Sequence, residues 1–430
     1  GGAIGPMSTL RLRMAWGQAG QQPGAFDQYT TFLPWASEFG PGLSPGNVGD
    51  PSLKPEVSTE IEFGGEVAFL NDRLAVDFQT WNRTVEDALI QRAYPPSGGF
   101  YRTQLSNIGK IDASGWEAGI DASLIRTSSY SIDLFGSISY LEETVVSLGG
   151  APEQKVGGSY PRYRNFLTEG WSPGSFFGAK LDRSKKYPID TNGDGKADDD
   201  ATLLAFFTSG GAGVRAGWNP VMMTPTQADV DAGLAKDTGA LGWFLGKPTP
   251  DYSASFGTAV KVGKNWRMNV LFESRFGDYH VTNLTDAFRK SHGLIGRNVP
   301  EAAATEADLM DPAKAGQVRL DAANRWVREF LALSPYSGLN TIEDASFTRL
   351  RELSFAYVVD PEVAARFGAR SLTFAVSGKN LWINTPYSGI DPELNAIARS
   401  NGGINDFQQS IDAFGVPIPS SWTLSLKVGM

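Results

Sequence analysis

Hydrophobic and polar residues alternate along much of this chain with a period of two. Between positions 56 and 69, Val57, Thr59, Ile61, Phe63, Gly65, Val67 and Phe69 share one parity, and Glu56, Ser58, Glu60, Glu62, Gly64 and Glu66 share the other. Successive side chains of a strand point to opposite faces, so the pattern predicts one long strand with an apolar and an acidic face. Leu74-Ala75-Val76-Asp77-Phe78-Gln79-Thr80-Trp81 repeats it after an Asn71-Asp72 turn, which predicts a long hairpin.

The same alternation recurs in Leu10-Leu12-Met14-Trp16, Trp116-Ala118-Ile120-Ala122-Leu124, Ile132-Leu134-Ile138-Tyr140, Ala254-Phe256-Thr258-Val260-Val262 and Trp266-Met268-Val270-Phe272. Towards the C-terminus it recurs in Leu372-Phe374-Val376 and Trp422-Leu424-Leu426-Val428-Met430. One stretch is irregular: between 347 and 357, Arg349 and Arg351 share parity with Leu353, Phe355 and Tyr357. Ten strands are predicted in all, and their connectors alternate in length. Short ones (70–73, 126–129, 263–265 and the modest 360–370) fall between long ones (17–55, 87–115, 146–251, 278–346 and 383–421). Tight turns at one end and large loops at the other are the rhythm of an outer-membrane β-barrel. The fold class expected is therefore all-β, an antiparallel transmembrane barrel with long extracellular loops. A soluble β-sandwich also alternates, but its strands seldom run so long and its loops are shorter. Aromatics near strand ends, Trp16, Phe69, Trp81, Trp116, Tyr140, Trp266 and Trp422, are placed as interfacial girdles would place them.

Composition narrows the chemistry. The 430 residues carry 38 Lys+Arg against 47 Asp+Glu, a net charge of −9, which disfavours nucleic acid as a partner. Cys is absent and His occurs only as His280 and His292, leaving no thiolate nucleophile, zinc knuckle or His-based centre. No apolar run approaches the ~18 residues of a spanning helix, a test that does not see barrels. The opening Gly1-Gly2-Ala3-Ile4-Gly5-Pro6-Met7 has no signal-peptide character and reads as the start of a piece of something longer. The acidic parity, Glu56, Glu60, Glu62, Glu66, Asp77, Glu117, Asp121 and Asp133, is expected on a wet lumen side.

Several motifs then resemble one family. Leu10-Arg11-Leu12-Arg13-Met14-Ala15-Trp16-Gly17-Gln18, Leu53-Lys54-Pro55-Glu56 with Thr59-Glu60, and Leu70-Asn71-Asp72-Arg73-Leu74 resemble the SusC/RagA class of TonB-dependent outer-membrane transporters. So do Asn107-Ile108-Gly109-Lys110-Ile111 with Gly115-Trp116-Glu117, the Asp190-Thr191-Asn192-Gly193-Asp194-Gly195 stretch, the run from Ile342 through Arg351, and Gly378-Lys379-Asn380-Leu381 with Gly389-Ile390-Asp391-Pro392-Glu393. Their order spans nearly the whole chain. The resemblance implies a barrel of roughly 22 strands with a plugged lumen, of which this chain would be the C-terminal part. It further implies a TonB complex acting through a plug region, a SusD-like surface lipoprotein as lid, outer-membrane lipid around the wall, and oligosaccharides, peptides or similar nutrients as cargo. The last residue is Met430, where the family usually ends in Phe.

Three sites are candidates. Asp190, Asn192, Asp194, Lys196 (through its carbonyl) and Asp198 have calcium-loop spacing, with Gly195 at the sharp turn and Ala201 where a bidentate Glu usually sits. Such an ion would pin an extracellular loop; no cofactor is otherwise required, and an acidic turn without metal is the alternative. Trp171, Phe176, Phe177, Trp218, Trp243 and Phe244 could stack on substrate or simply pack their loop. Gly170-Trp171-Ser172-Pro173-Gly174 matches G-x-S-x-G, but Pro173 has no N–H to offer an oxyanion, so no hydrolase is expected and the chain is read as a non-enzyme. A helical stretch is expected between 300 and 333, through Ala322 and Trp326. Function is read as active nutrient transport across an outer membrane; the alternatives are a passive porin or adhesin barrel and a soluble carbohydrate-binding β-protein.

Overall fold

A computed structural model describes residues 7–38, 40–94, 97, 100, 103–156, 163–182, 196, 198–208, 222–286, 300–326, 341–395 and 410–430. Ten strands form one antiparallel sheet in unbroken sequence order. They are β1 (Met7–Gln21), β2 (Glu56–Phe69), β3 (Leu74–Ala93), β4 (Thr103–Arg126), β5 (Tyr130–Ser147), β6 (Tyr252–Val262), β7 (Trp266–Phe276), β8 (Phe347–Val358), β9 (Ser371–Asn384) and β10 (Ser421–Gly429). β1 and β10 are its edges, and among the described residues they do not pair with each other.

Register turns the alternation into two continuous faces. On the outer face, Trp116 lies opposite Tyr140, Tyr140 opposite Tyr252, and Tyr252 opposite Phe276. These rings form a ladder across β4–β7, with centroids 6.2, 5.1 and 5.1 Å apart. Ten residues further along the same strands, towards the short turns, Tyr130, Val262 and Trp266 face one another in register, and the Trp266 ring lies 4.8 Å from that of Tyr357. At about 3.4 Å per residue and a tilt near 40°, the two aromatic rows are separated by about 25 Å, the height of the apolar band of an outer-membrane barrel. Between them lie Leu134, Phe256, Val270, Phe272 and Phe355, and Phe256 is 50% exposed. Leu12 on β1 is 71% exposed. Trp81 belongs elsewhere: it sits opposite Glu62 and Gly115 on the inner face, its ring so close that a Cβ on Gly115 would lie 2.7 Å away, so it is not part of a girdle.

The strand ends follow from local chemistry. Leu70, Asn71 and Asp72 all take φ between 56° and 61° in the β2–β3 turn, and Gly263 takes 63° in the β6–β7 turn. Asp360 precedes a short helix, Pro361–Ala365, whose first-turn proline has no N–H to lose. At the opposite end β3 and β4 run on for 20 and 24 residues, so the connector expected over 87–115 shrinks to 94–102. Strands of 11 residues, as in β6 and β7, suffice to cross a bilayer; the extensions of β3–β5 stand clear of it, where no lipid enforces alternation.

Loops fold back onto the inner face at that end. The connector between β5 and β6 builds a small sheet from Gln154–Lys155, Asn165–Leu167, Ser175–Gly178 and Trp243–Gly246. Its Val156 and Leu167 join Ala88, Ile90 and Val145 of the wall in one cluster with Leu148, just beyond β5. The expected helical stretch is two helices, Pro300–Met310 and Gln317–Arg325. Arg319, wholly buried, donates to the carbonyls of Leu309 and Asp311 and to Asp200 Oδ1, tying both helices to a third, Asp200–Thr208.

Candidate functional site

The inner wall is a lattice of charge. Glu56, Glu60, Glu62, Glu66, Asp77, Glu117, Asp121 and Asp133 all share the face opposite the apolar band. Arg13 donates to both oxygens of Asp77 at 2.6 and 2.8 Å and to Gln79 at 2.9 Å, and Gln79 donates on to Glu117 at 3.0 Å. Arg11 pairs with Glu66 at 3.2 Å, and Arg83 with Glu60 at 2.5 Å. Exposed pairs of this kind add little stability; their consequence is a hydrophilic surface that water or a polar solute can line.

Near the long-loop end the irregular parity at Arg349 and Arg351 resolves into a β-bulge. Opposite β7, Leu271 pairs with Glu352 and Phe272 with Leu350, so Arg351 is the extra residue. One inserted residue reverses the parity, which brings both arginines to the inner side. On β9 the matching irregularity is taken up by Asn380, with φ of 54°. Arg349 is 4% exposed and meets Asp391 at 2.5 Å and Glu393 at 2.9 Å; Arg351 meets Glu273 at 2.5 Å and also Glu393. Asp391 additionally accepts from the backbone N–H of Glu393 and of Ile418. The Gly389-to-Glu393 motif is thus an anchor: it pins the connector after β9 to the bulged wall. Beside it Tyr279 donates to the Pro392 carbonyl at 3.0 Å, and Tyr387 donates to Asp412 at 2.8 Å. Burial pushes the Tyr387 hydroxyl up, and the neighbouring Asp412 carboxylate adds to it, so the phenol stays a donor.

A cavity of about 280 Å³ opens where the β5–β6 connector meets β3–β5. Arg83, Ala113 and Glu143 are direct neighbours on three adjacent strands. Ala113, too small to fill its place, leaves the space between the two charged side chains. Glu56, Val85, Ala88, Leu89 and Ile111 complete the wall side, and Pro173, Pro248 and Thr249 form the roof. Neither Glu143 nor this cavity was legible in the sequence, because its two sides are separated by a long connector.

The sequence-predicted residues fare unevenly. Phe176 and Phe177 have no exposed surface and Trp243 only 5%. The Phe177 ring packs with Trp171 and Phe244, the Trp171 centroid lying 5.2 Å from Phe177 and 4.8 Å from Phe244. Phe176, Phe177 and Trp243 are buried within the loop sheet, so among the described candidates stacking on a substrate is open to the half-buried Trp171 and Phe244. Trp218 lies outside the described residues, as do Asp190, Asn192 and Asp194; Lys196 and Asp198 are described, and no acidic or His cluster suited to a metal occurs among the described residues. Gly170 and Gly174, with φ of 83° and 77°, bound a plain turn at the G-x-S-x-G match.

Residues 6–221 match the family model described as TonB dependent receptor-like, beta-barrel. The chain belongs to this family. A TonB-dependent receptor β-barrel accounts for both faces of the wall, since barrels of the family sit in the outer membrane of Gram-negative bacteria. The chain is 25% identical to TonB-dependent receptor P3 of Formosa agariphila over 98% of its own length and 39% of the relative's. It is 26% identical to TonB-dependent receptor SusC of Bacteroides thetaiotaomicron over 35% of the chain and 16% of that protein. In fold it is similar to the RagAB peptide transporter structure, with a TM-score of 0.70 and 18% identity, covering 98% of this chain and 41% of that one. The chain therefore spans about two fifths of the relatives it matches most fully.

Proposed function

We propose that this chain supplies wall strands and extracellular loops to a SusC-like importer that takes up nutrients, oligosaccharides, peptides or similar, with energy delivered by a TonB complex through a plug region. A SusD-like surface lipoprotein would meet the long loops. The observation that carries the reading is the two-faced wall: an exposed apolar band about 25 Å tall between aromatic rows, backed by a charged inner face. No catalytic constellation is part of it. A calcium ion held by the 190–198 loop would stiffen that loop without entering transport.

The test compares growth on a panel of oligosaccharides and peptides as sole nutrients. Strains lacking the full-length receptor and strains lacking TonB should lose growth on the same compound. Growth that depends on the receptor but not on TonB would instead mark a passive porin.

A further inference from the structure

Glu143 is a half-buried carboxylate, and among the described residues no donor lies within hydrogen-bond reach of it. The nearby cations are already engaged: Arg83 by Glu60 at 2.5 Å and Lys247 by Asp251 at 2.5 Å. Glu56, the other acid of the cavity, accepts from the Leu89 N–H at 3.0 Å. A carboxylate withdrawn from water without a partner is costly, and a cation entering beside it recovers that cost.

The roof over Glu143 is fixed rather than draped. The Lys247 carbonyl accepts from the His280 N–H at 2.9 Å, and the Pro248 carbonyl accepts from Ser410 Oγ at 2.8 Å. Asp251 accepts from the N–H groups of Leu141 and Asp278 at 3.0 and 2.8 Å. The Pro173 side is held through Val145, which exchanges backbone bonds with Gly170 and Trp171 at 2.8 and 2.9 Å. Such anchoring, from wall and from two separate loops, preserves an open space that apolar side chains would otherwise close.

We propose that this cavity is a subsite for a primary ammonium carried on a compact aliphatic body, with Glu143 as the counter-charge. It rests on the reading of this wall as the lining of an import route. The lining decides between carriers of that ammonium. Apart from the charged Glu56, Arg83 and Glu143, the lining is apolar, from Val85, Leu89 and Ile111 to Pro173 and Pro248, with Thr249 the one neutral hydroxyl. A sugar ring would turn most of its hydroxyls onto apolar side chains, whereas a branched aliphatic amine brings its polar donors to one end, where the carboxylate lies.

The experiment titrates L-leucinamide, N-acetyl-L-leucinamide and D-glucosamine against the purified full-length receptor in detergent by ligand-observed NMR. L-leucinamide should bind, the acetylated amide and glucosamine at least tenfold more weakly. Glu143→Gln should weaken L-leucinamide at least tenfold, and Ala113→Phe, which fills the cavity and leaves the acid in place, should do the same. Folding of each variant is checked by its heat-dependent gel shift. If one variant does not fold, the other decides. Equal binding of the acetylated amide, equal binding of glucosamine, or undiminished binding by a folded variant would overturn the proposal. Binding in detergent needs neither TonB nor uptake, so this failure is distinct from TonB-independent growth, which sinks the import reading alone.

Discussion

The outer face of β5–β7 exposes Phe256, Val262 and Trp266, while the loops at the long-connector end bury Arg349, Asp391, Arg319 and Asp412. In water both arrangements are unfavourable: the first is an aggregation surface, the second a set of desolvated charges. Each becomes sensible in its own surroundings. Acyl chains solvate the first, and there neighbouring strands pair their backbone groups along the ladder from β1 to β10. In the second, Arg349, Asp391 and Arg319 have partners of opposite sign, and Asp412 accepts from the Tyr387 and Thr285 hydroxyls, so the result is geometric definition in segments that lack a large apolar core. The wall is thus held by solvent and hydrogen-bond register, the loops by specific polar anchors.

That contrast can be broken most sharply at the anchor. Asp391→Ala leaves Arg349 without its shortest partner and removes an acceptor for two backbone N–H groups; breaking a buried pair costs about 3–5 kcal/mol. Hydrogen exchange in 385–395 should rise by orders of magnitude while exchange in β5–β7 is unchanged. Protection lost equally in the wall would mean that the two regions are not independently held.

Next in size is the face itself. Phe256→Arg puts a guanidinium mid-band, a cost of about 2–4 kcal/mol, and should sharply reduce the folded, membrane-inserted fraction on heat-shift gels. Ser255→Arg, one residue away but directed to the polar face beside Ser137, should insert almost normally. Equal defects from both would refute the assigned faces.

The smallest expected effect lies in the loop sheet, where burial lowers the Lys155 amine to about 8, with Arg164 nearby adding to the shift. The folded loop then binds fewer protons than the unfolded one between about pH 8 and the ordinary amine value. Stability of this loop should therefore rise with pH across that window. Lys155→Met should abolish the slope in a pH series of loop hydrogen exchange.

How much was legible follows the same divide. All ten wall strands, the 70–73 and 263–265 turns and the inner acidic set could be read from Glu56, Ile61, Phe63 and their counterparts, because strand parity is a local property and lipid on one side enforces it. Proximity to a strand end suggests a girdle position for Trp81, but its parity with Asp77 places it inside. Arg349 and Arg351 announced trouble in the pattern, yet only the register showed an inserted residue and the carboxylates waiting for them 42 positions along the chain. The extended part of β3 and β4 read as loop because outside the bilayer both faces meet water or other loops, and alternation lapses.

The amino-acid order by itself determined which side of each wall strand is apolar, how many wall strands there are and where the tight turns fall, since these depend on neighbours two residues apart. Tertiary structure decided which charges are buried together, that Phe176, Phe177 and Trp243 turn inward within their loop, and that Ala113 leaves a cavity beside Glu143. Those outcomes depend on which distant segment folds over which patch of wall, and no local period encodes that choice.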